Sequence, residues 1–305
     1  MSDESSRGSY VALHETGELA RRAALAHARL HECDLCPHRC QADRLSGRIG
    51  VCGIGRKARV HGFAPHFGEE SVLTGTRGSG TIFFSGCNLA CVFCQNWEAS
   101  QGSEGRDFES HEVAAMMLAL QAQGCHNINL VSPSHVIPQV LQALDLAAGR
   151  GLRLPLVYNT GGYDDVSALA LLDGVIDIYL PDVKFGDNQT ARRYTGADDY
   201  WSSVRLAVRA MHAQVGDLVV DERGLAVRGL LVRHLVMPGE CASTERVCRF
   251  LAEEVSPHTA INVMEQYRPQ HRVASYPEID RAPTTAEVAE AYASARAAGL
   301  RVLPL

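Results

Sequence analysis

The chain has 305 residues, 46% hydrophobic and 21% charged, the make-up of a globular protein able to bury a sizeable core. Its formal charge of −6 gives no broad electrostatic footprint for nucleic acid, and the basic runs Arg21-Arg22 and Arg56, Lys57 and Arg59 read as solvated faces. No run of about eighteen apolar residues occurs, and Met1 to Tyr10 is polar and Ser-rich, so neither a membrane span nor a signal peptide is expected and the expected location is cytoplasmic.

In chain order, residues 17–32 predict an Ala-rich helix. A loop-rich segment with Cys33, Cys36, Cys40 and Cys52 follows, poor in apolar residues and punctuated by Pro37, Gly47, Gly50, Gly53 and Gly55. A metal would have to organise it. Residues 74–80 read as a flexible bridge, dividing a metal-binding segment over 1–73 from a main domain over 74–305. From Thr81, apolar strands alternate with helical patterns: strands are predicted at 81–86, 127–132, 154–159, 175–181, 229–237 and 260–265. A helix over 111–123 puts Val113, Met116, Met117 and Leu120 on one face and stops at Gly124. Another is centred on 136–148, and the last opens with Thr284 and Glu287 as a capping box and ends near Gly299. Six strand–helix units predict an α/β fold with a parallel sheet, either doubly wound or a partial barrel.

Ten cysteines are more than packing asks of a chain expected in a reducing compartment, so tight groups read as metal sites before disulfides. Cys87, Cys91 and Cys94 follow the strand at 81–86 with C-x3-C-x2-C spacing. One short loop can then offer three soft thiolates to three irons of a cubane and leave the fourth iron open to a small ligand.

That loop, with Phe93 before the last cysteine and Gln95-Asn96 after it, resembles the radical S-adenosylmethionine (SAM) signature. The resemblance extends through Thr81–Gly86, His126–Val131, Tyr158–Gly162, Asp177–Lys184, Arg233–Gly239 and Met264–Pro269, which together resemble the proteins labelled pyruvate formate-lyase-activating-enzyme-like. It implies a partial (β/α)6 barrel of the TIM type with its site at the C-terminal ends of the strands. It implies a 4Fe–4S cluster that binds SAM and cleaves it reductively to a 5′-deoxyadenosyl radical, with flavodoxin or ferredoxin as reductant. Carried over by position, Ser132, Pro133 and Ser134 are expected at the SAM amino group, and Asn159, Thr160 and Gly161 near its ribose or carboxylate. Asp182 and Lys184 form a pair that can contact SAM, and Gln266 and Tyr267 close the site near adenosine or substrate. His135 is either a site residue or an ordinary helix-start histidine.

The four N-terminal cysteines can close a second 4Fe–4S cluster or a structural zinc site. They precede the SAM loop, whereas the insertion of many glycyl-radical activases follows it. That position counts against the activase label, and no second dense cysteine group follows Cys94, so the expected substrate is a small molecule or carbohydrate, with epimerisation as one outcome and a glycyl-radical activase as the alternative. Cys241, just after the strand at 229–237, is the expected hydrogen donor for an inversion, with Cys125 and Cys248 behind it. A scaffold without catalysis would require that SAM not bind.

Overall fold

The protein is described here by a computed structural model covering residues 7–303; residues 1–6 of the polar tail lie outside the described residues. Two helices, α1 (Tyr10–Glu15) and α2 (Glu18–Ala28), lead into the cysteine loop and then into strand β1 (Ala58–His66). The short α3 (Ser71–Thr74) precedes β2 (Ser79–Phe84), and α4 (Trp97–Ser100) and β3 (Arg106–Phe108) follow it. Alternating units come next: α5 (Ser110–Ala122), β4 (Ile128–Val131), α6 (Ile137–Gly149), β5 (Leu156–Thr160), α7 (Val166–Leu169) and β6 (Ile178–Pro181). The remainder is α8 (Asn188–Thr195), α9 (Tyr200–Val215), β7 (Val219–Val220), β8 (Ala226–Leu235), α10 (Thr244–Phe250), β9 (Ala260–Met264), α11 (Thr285–Ala297) and β10 (Arg301–Val302).

The fold is α/β with a mostly parallel sheet. Strands β2, β4, β5, β6, β8, β9 and β10 are parallel neighbours in chain order. The six predicted strands correspond to β2, β4, β5, β6, β8 and β9. They were legible because a strand covered on both faces reads as a nearly unbroken apolar run. Four strands were not predicted. β1 and β3 add antiparallel to the β2 edge, β7 pairs antiparallel with β8, and β10 extends the sheet by two residues.

The two faces of the sheet have different neighbours. Leu130, Tyr158, Tyr179, Val232 and Ile261 pack with the helices in the main core. Val157, Ile178, Leu180, Leu231 and Ala260 instead meet Leu73 of α3 and Leu303. The expected flexible bridge is thereby corrected: Thr74 ends α3, Ser79 and Gly80 belong to β2, and Gly78 N–H donates to Thr74 O at 2.7 Å. Ser79 is buried, and its hydroxyl donates to Asn127 Oδ1 at 2.6 Å, while Asn127 Nδ2 donates to Leu73 O at 2.9 Å. Buried hydrogen bonds replace the apolar contacts that the Gly- and Ser-rich sequence lacks.

Helix ends follow the local chemistry. The predicted Thr284–Glu287 capping box is present, with Glu287 N–H donating to Thr284 Oγ1 at 3.2 Å and Thr284 N–H to Glu287 Oε2 at 2.7 Å. In α8, Asp187 Oδ1 accepts from Thr190 N–H at 2.7 Å, and Gly196 in the left-handed region stops the helix.

His234 on β8 is fully buried between Val183 O at 2.7 Å and Thr244 Oγ1 at 2.9 Å, tying the sheet to α10. Burial pushes its pKa down to about 4 from 6.5. Between those values the unfolded chain binds a proton that the folded chain refuses, so stability falls as pH drops through that window. Thermal unfolding under anaerobic conditions is expected to show His234→Gln with a lower Tm at pH 7 and a shallower fall in Tm from pH 6.5 to 4. Parallel falls in the two proteins would show that His234 does not carry that dependence.

Candidate functional site

The loop carrying Cys87, Cys91 and Cys94 starts where β2 ends. Gly86 turns the chain with φ +77°, and a Cβ there would stand 2.5 Å from Cys52 O, so glycine is required where the two cysteine loops touch. Backbone bonds fix the rest: Ala90 N–H donates to Thr195 O and Val92 N–H to Tyr194 O, both at 2.9 Å. Arg272 N–H reaches Val92 O at 2.9 Å, and Gln101 Nε2 reaches Cys91 O at the same distance.

All three cysteines line one cavity of about 390 Å³ at the C-terminal ends of the parallel strands. That is where open α/β sheets and barrels place their ligands. Among the described residues no fourth cysteine lines it. The lining also includes Ser132, Asn159, Thr160, Gly161, Asp182, Lys184 and Gln266, which joins most of the predicted SAM contacts to the cysteine loop. Gly161 is constrained by packing, since a Cβ there would come within 2.9 Å of Leu89 Cδ1.

Three residues expected at SAM lie off this lining. Ser134 Oγ is instead 3.0 Å from Thr160 Oγ1, whose own hydroxyl donates to Asp164 Oδ2 at 2.6 Å; Tyr158 OH donates to Asp164 Oδ1 at 2.8 Å. This buried network holds the β4 and β5 ends together. Ser132 lines the cavity in place of Ser134, with φ +58° and its N–H donating to Asn159 O at 2.8 Å. A non-glycine residue in that conformation is strained and persists because its surroundings fix it. Pro133 does not line the cavity, and Tyr267 packs behind Phe93 with its hydroxyl donating to Ile279 O at 2.8 Å.

The remaining cysteines are also off the cavity. Cys241 is half-buried beside Tyr194, and burial raises its thiol pKa. Cys248 is buried in α10, its thiol pushed up to about 12 by burial, and Cys125 packs against Gly80 at the opposite end of β2. His135 is a buried structural residue, with Nε2 2.9 Å from Ser85 O and its pKa pushed down to about 4 by burial and by Arg44.

Several lining residues escaped the sequence reading. His66, Glu69 and Arg233 add a polar part to the cavity wall. Arg233 donates through Nε to Glu70 Oε1 at 2.7 Å and also pairs with Glu69, and Asn262 Nδ2 donates to Glu70 Oε1 at 2.7 Å. Their partners are more than 160 residues apart, so no local pattern announces them. Phe83, Leu89, Phe93 and Met264 supply the apolar part of the wall.

Burial opposes a bare thiolate at the loop, so without a bound cation these cysteines stay as thiols. Burial pushes the Cys87 thiol up to about 11 and that of Cys91 still higher, and each is raised further by its neighbouring thiols. Binding a metal would therefore release protons. Lys184 Nζ donates to Asp182 Oδ2 at 2.5 Å; burial opposes its charge, but Asp182 and Cys91 outweigh burial and raise its pKa.

The N-terminal cysteines also converge. Cys33, Cys36 and Cys52 are buried and Cys40 half-buried. A Cβ on Gly50 would sit 3.3 Å from Cys40 Sγ and 3.5 Å from Cys52 Sγ. Burial pushes Cys36 up to about 12, and the other three thiols add to the rise. Among the described residues, no group of three or more His, Cys, Asp or Glu side chains lies close enough together to hold a single metal ion. What each cysteine set shares is burial and mutual electrostatic contact.

A mostly parallel α/β sheet with a three-cysteine loop at its strand ends is the arrangement of an enzyme that binds its ligands at the C-terminal edge of the sheet. The chain belongs to the radical SAM superfamily, whose profile matches residues 81–251. Enzymes of that superfamily use a 4Fe–4S cluster and SAM. An uncharacterized protein of Methanocaldococcus jannaschii is 33% identical over 267 residues, which is 85% of this chain and 72% of that protein. A radical SAM methyltransferase from Sphaerobacter thermophilus shares the fold at 15% identity, with TM-score 0.52 over 74% of this chain and 65% of that one. Streptococcus suis SuiB bound to S-adenosylmethionine is 13% identical, with TM-score 0.47 over 71% of this chain and 47% of that one. The chain thus spans under two thirds of the length of these two solved proteins.

The geometry separates Ser132 from Ser134. Ser134→Ala is expected to lower stability by about 1 kcal/mol through the lost buried hydrogen bond, while leaving the SAM dissociation constant of the reconstituted enzyme unchanged in equilibrium binding. A large loss of SAM affinity without a loss of stability would place Ser134 at the ligand instead.

Proposed function

We propose that this enzyme cleaves SAM reductively and removes a hydrogen atom from a C–H bond of a small molecule or carbohydrate. The observation that carries the reading is the single cavity shared by Cys87, Cys91, Cys94 and the polar ends of β4, β5 and β6. When bound at those cysteines, a 4Fe–4S cluster supplies the electron that splits SAM into methionine and a 5′-deoxyadenosyl radical.

The chain's own residues bind, orient and shield. Cys87, Cys91 and Cys94 hold the cluster; Ser132, Asn159, Gly161, Asp182, Lys184 and Gln266 bind SAM. Phe83, Leu89, Phe93 and Met264 keep water from the reacting atoms. His66, Glu69 and Arg233 receive the polar groups of the substrate. This polar wall favours a small hydroxylated or charged molecule over the polypeptide loop that a glycyl-radical activase would admit. Cys241 lies outside the lining, so the proposed reaction runs to hydrogen abstraction and assigns no residue to hydrogen return. Around this site the parallel strands are read as a partial (β/α)6 barrel.

Cys33, Cys36, Cys40 and Cys52 are proposed to hold a second 4Fe–4S cluster, with structural zinc as the competing occupant. A cytoplasmic flavodoxin or ferredoxin is the proposed reductant.

With dithionite and SAM, the wild type is expected to form 5′-deoxyadenosine, and Cys87→Ala, Cys91→Ala and Cys94→Ala to form none. Unchanged turnover in a triple alanine variant would remove the loop from the chemistry. Anaerobically reconstituted protein is expected to hold about eight irons, and a variant lacking the four N-terminal cysteines about four. One zinc with about four irons in the wild type would reject the second cluster.

A further inference from the structure

Arg44 has no solvent-exposed surface, yet none of its hydrogen-bond partners is a carboxylate. Its Nε donates to Gly55 O at 2.9 Å, and one terminal nitrogen donates to His135 O at 2.8 Å and to Cys33 Sγ at 3.7 Å. The other terminal nitrogen is buried with no partner. A guanidinium is always charged, and a buried charge without an opposite charge is strongly unfavourable. Carbonyl dipoles alone are weak compensation.

The anionic partner available is the cysteine set itself. Arg44 donates to the Cys33 sulfur at 3.7 Å, and no anion lies among its other hydrogen-bond partners. Four thiolates outweigh the positive charge of an iron–sulfur core, so the occupied centre is an anion, and one added electron makes it more so. A fixed positive charge beside a ligand sulfur stabilises the reduced form more than the oxidised form. Hydrogen bonds to cluster sulfurs act in the same direction.

We propose that Arg44 is the built-in countercharge of the N-terminal four-cysteine centre and raises its reduction potential, so that the centre accepts an electron rather than serving only as a clasp. This rests on the reading of those cysteines as a second 4Fe–4S site. The position suits an electron-accepting role. Arg44 bonds to His135, His135 bonds to Ser85, and Ser85 stands two residues before Cys87, while Cys52 O abuts Gly86.

The test uses full-length protein with Cys87, Cys91 and Cys94 changed to Ala, reconstituted anaerobically, so that the N-terminal centre is observed alone. Metal analysis reports its occupant, and a redox titration followed by electron paramagnetic resonance reports its midpoint. Relative to Arg44, Arg44→Gln is expected to make reduction at least tenfold less favourable, about 59 mV more negative for one electron. Arg44→Lys keeps the charge without the planar fork and is expected to fall between the two. Identical midpoints in the three proteins overturn the proposal. If Arg44→Gln fails to hold iron, the lysine variant decides: a smaller negative shift supports the proposal and no shift overturns it. Zinc without iron in the Arg44 parent would reject the second-cluster reading itself, an outcome distinct from iron with an unmoved midpoint.

Discussion

The site depends on the backbone bonds that pin the Cys87–Cys94 loop against the end of α8. Ala90 and Val92 donate to Thr195 and Tyr194, so the loop is built into the C-terminal edge of the sheet rather than hanging from it. Cys94 Sγ rests 3.2 Å from Ser100 Oγ, and Leu89 N–H points at Cys87 Sγ at 3.4 Å. Those contacts restrain Cys87 and Cys94 individually, while among the described residues the three sulfurs are not gathered closely enough for one metal ion, so binding would draw them together. The end of α8 is fixed in turn by Asp187 at its start, Gly196 at its stop, and Tyr194 donating to Glu278 at 2.8 Å.

Around that loop the sheet divides its labour by strand direction. Helix-side residues form the main core, and the opposite face is closed at one end by α3 and Leu303 and left open at the other. The open end gathers the chemistry because every parallel strand presents its C-terminal end there. The N-terminal cysteine loop leans on this mouth through Cys52 and Gly86 and through His38, whose Nε2 is 2.7 Å from Asn88 O. The two cysteine sets are therefore neighbours in space, although 34 residues separate Cys52 from Cys87, the next cysteine in sequence.

What was legible in the sequence follows from range. The central strands showed themselves as buried apolar runs, and the short cysteine spacing keeps Cys87, Cys91 and Cys94 on one cavity wall. β1 was hidden because Gly62 and Pro65 interrupt it, and β3, β7 and β10 are too short to carry a pattern. At the site, strand-end position brought Ser132, Asn159, Asp182 and Lys184 correctly to the cavity, but position alone cannot say which way a neighbouring side chain turns. Ser134 turns to Thr160 and Asp164, and Tyr267 to Ile279. The polar wall of Glu69 and Arg233 was invisible for the opposite reason: it exists only after β8 and the segment before α3 have met.

The central claim is that Cys87, Cys91 and Cys94 hold a cluster with one position open to SAM. Its most direct test is the electron paramagnetic resonance spectrum of the reduced protein lacking the four N-terminal cysteines, recorded with and without SAM. The account predicts a single 4Fe–4S signal whose g values shift when SAM is added. A spectrum of the same cluster that SAM leaves unchanged, at concentrations that saturate the protein, would contradict it.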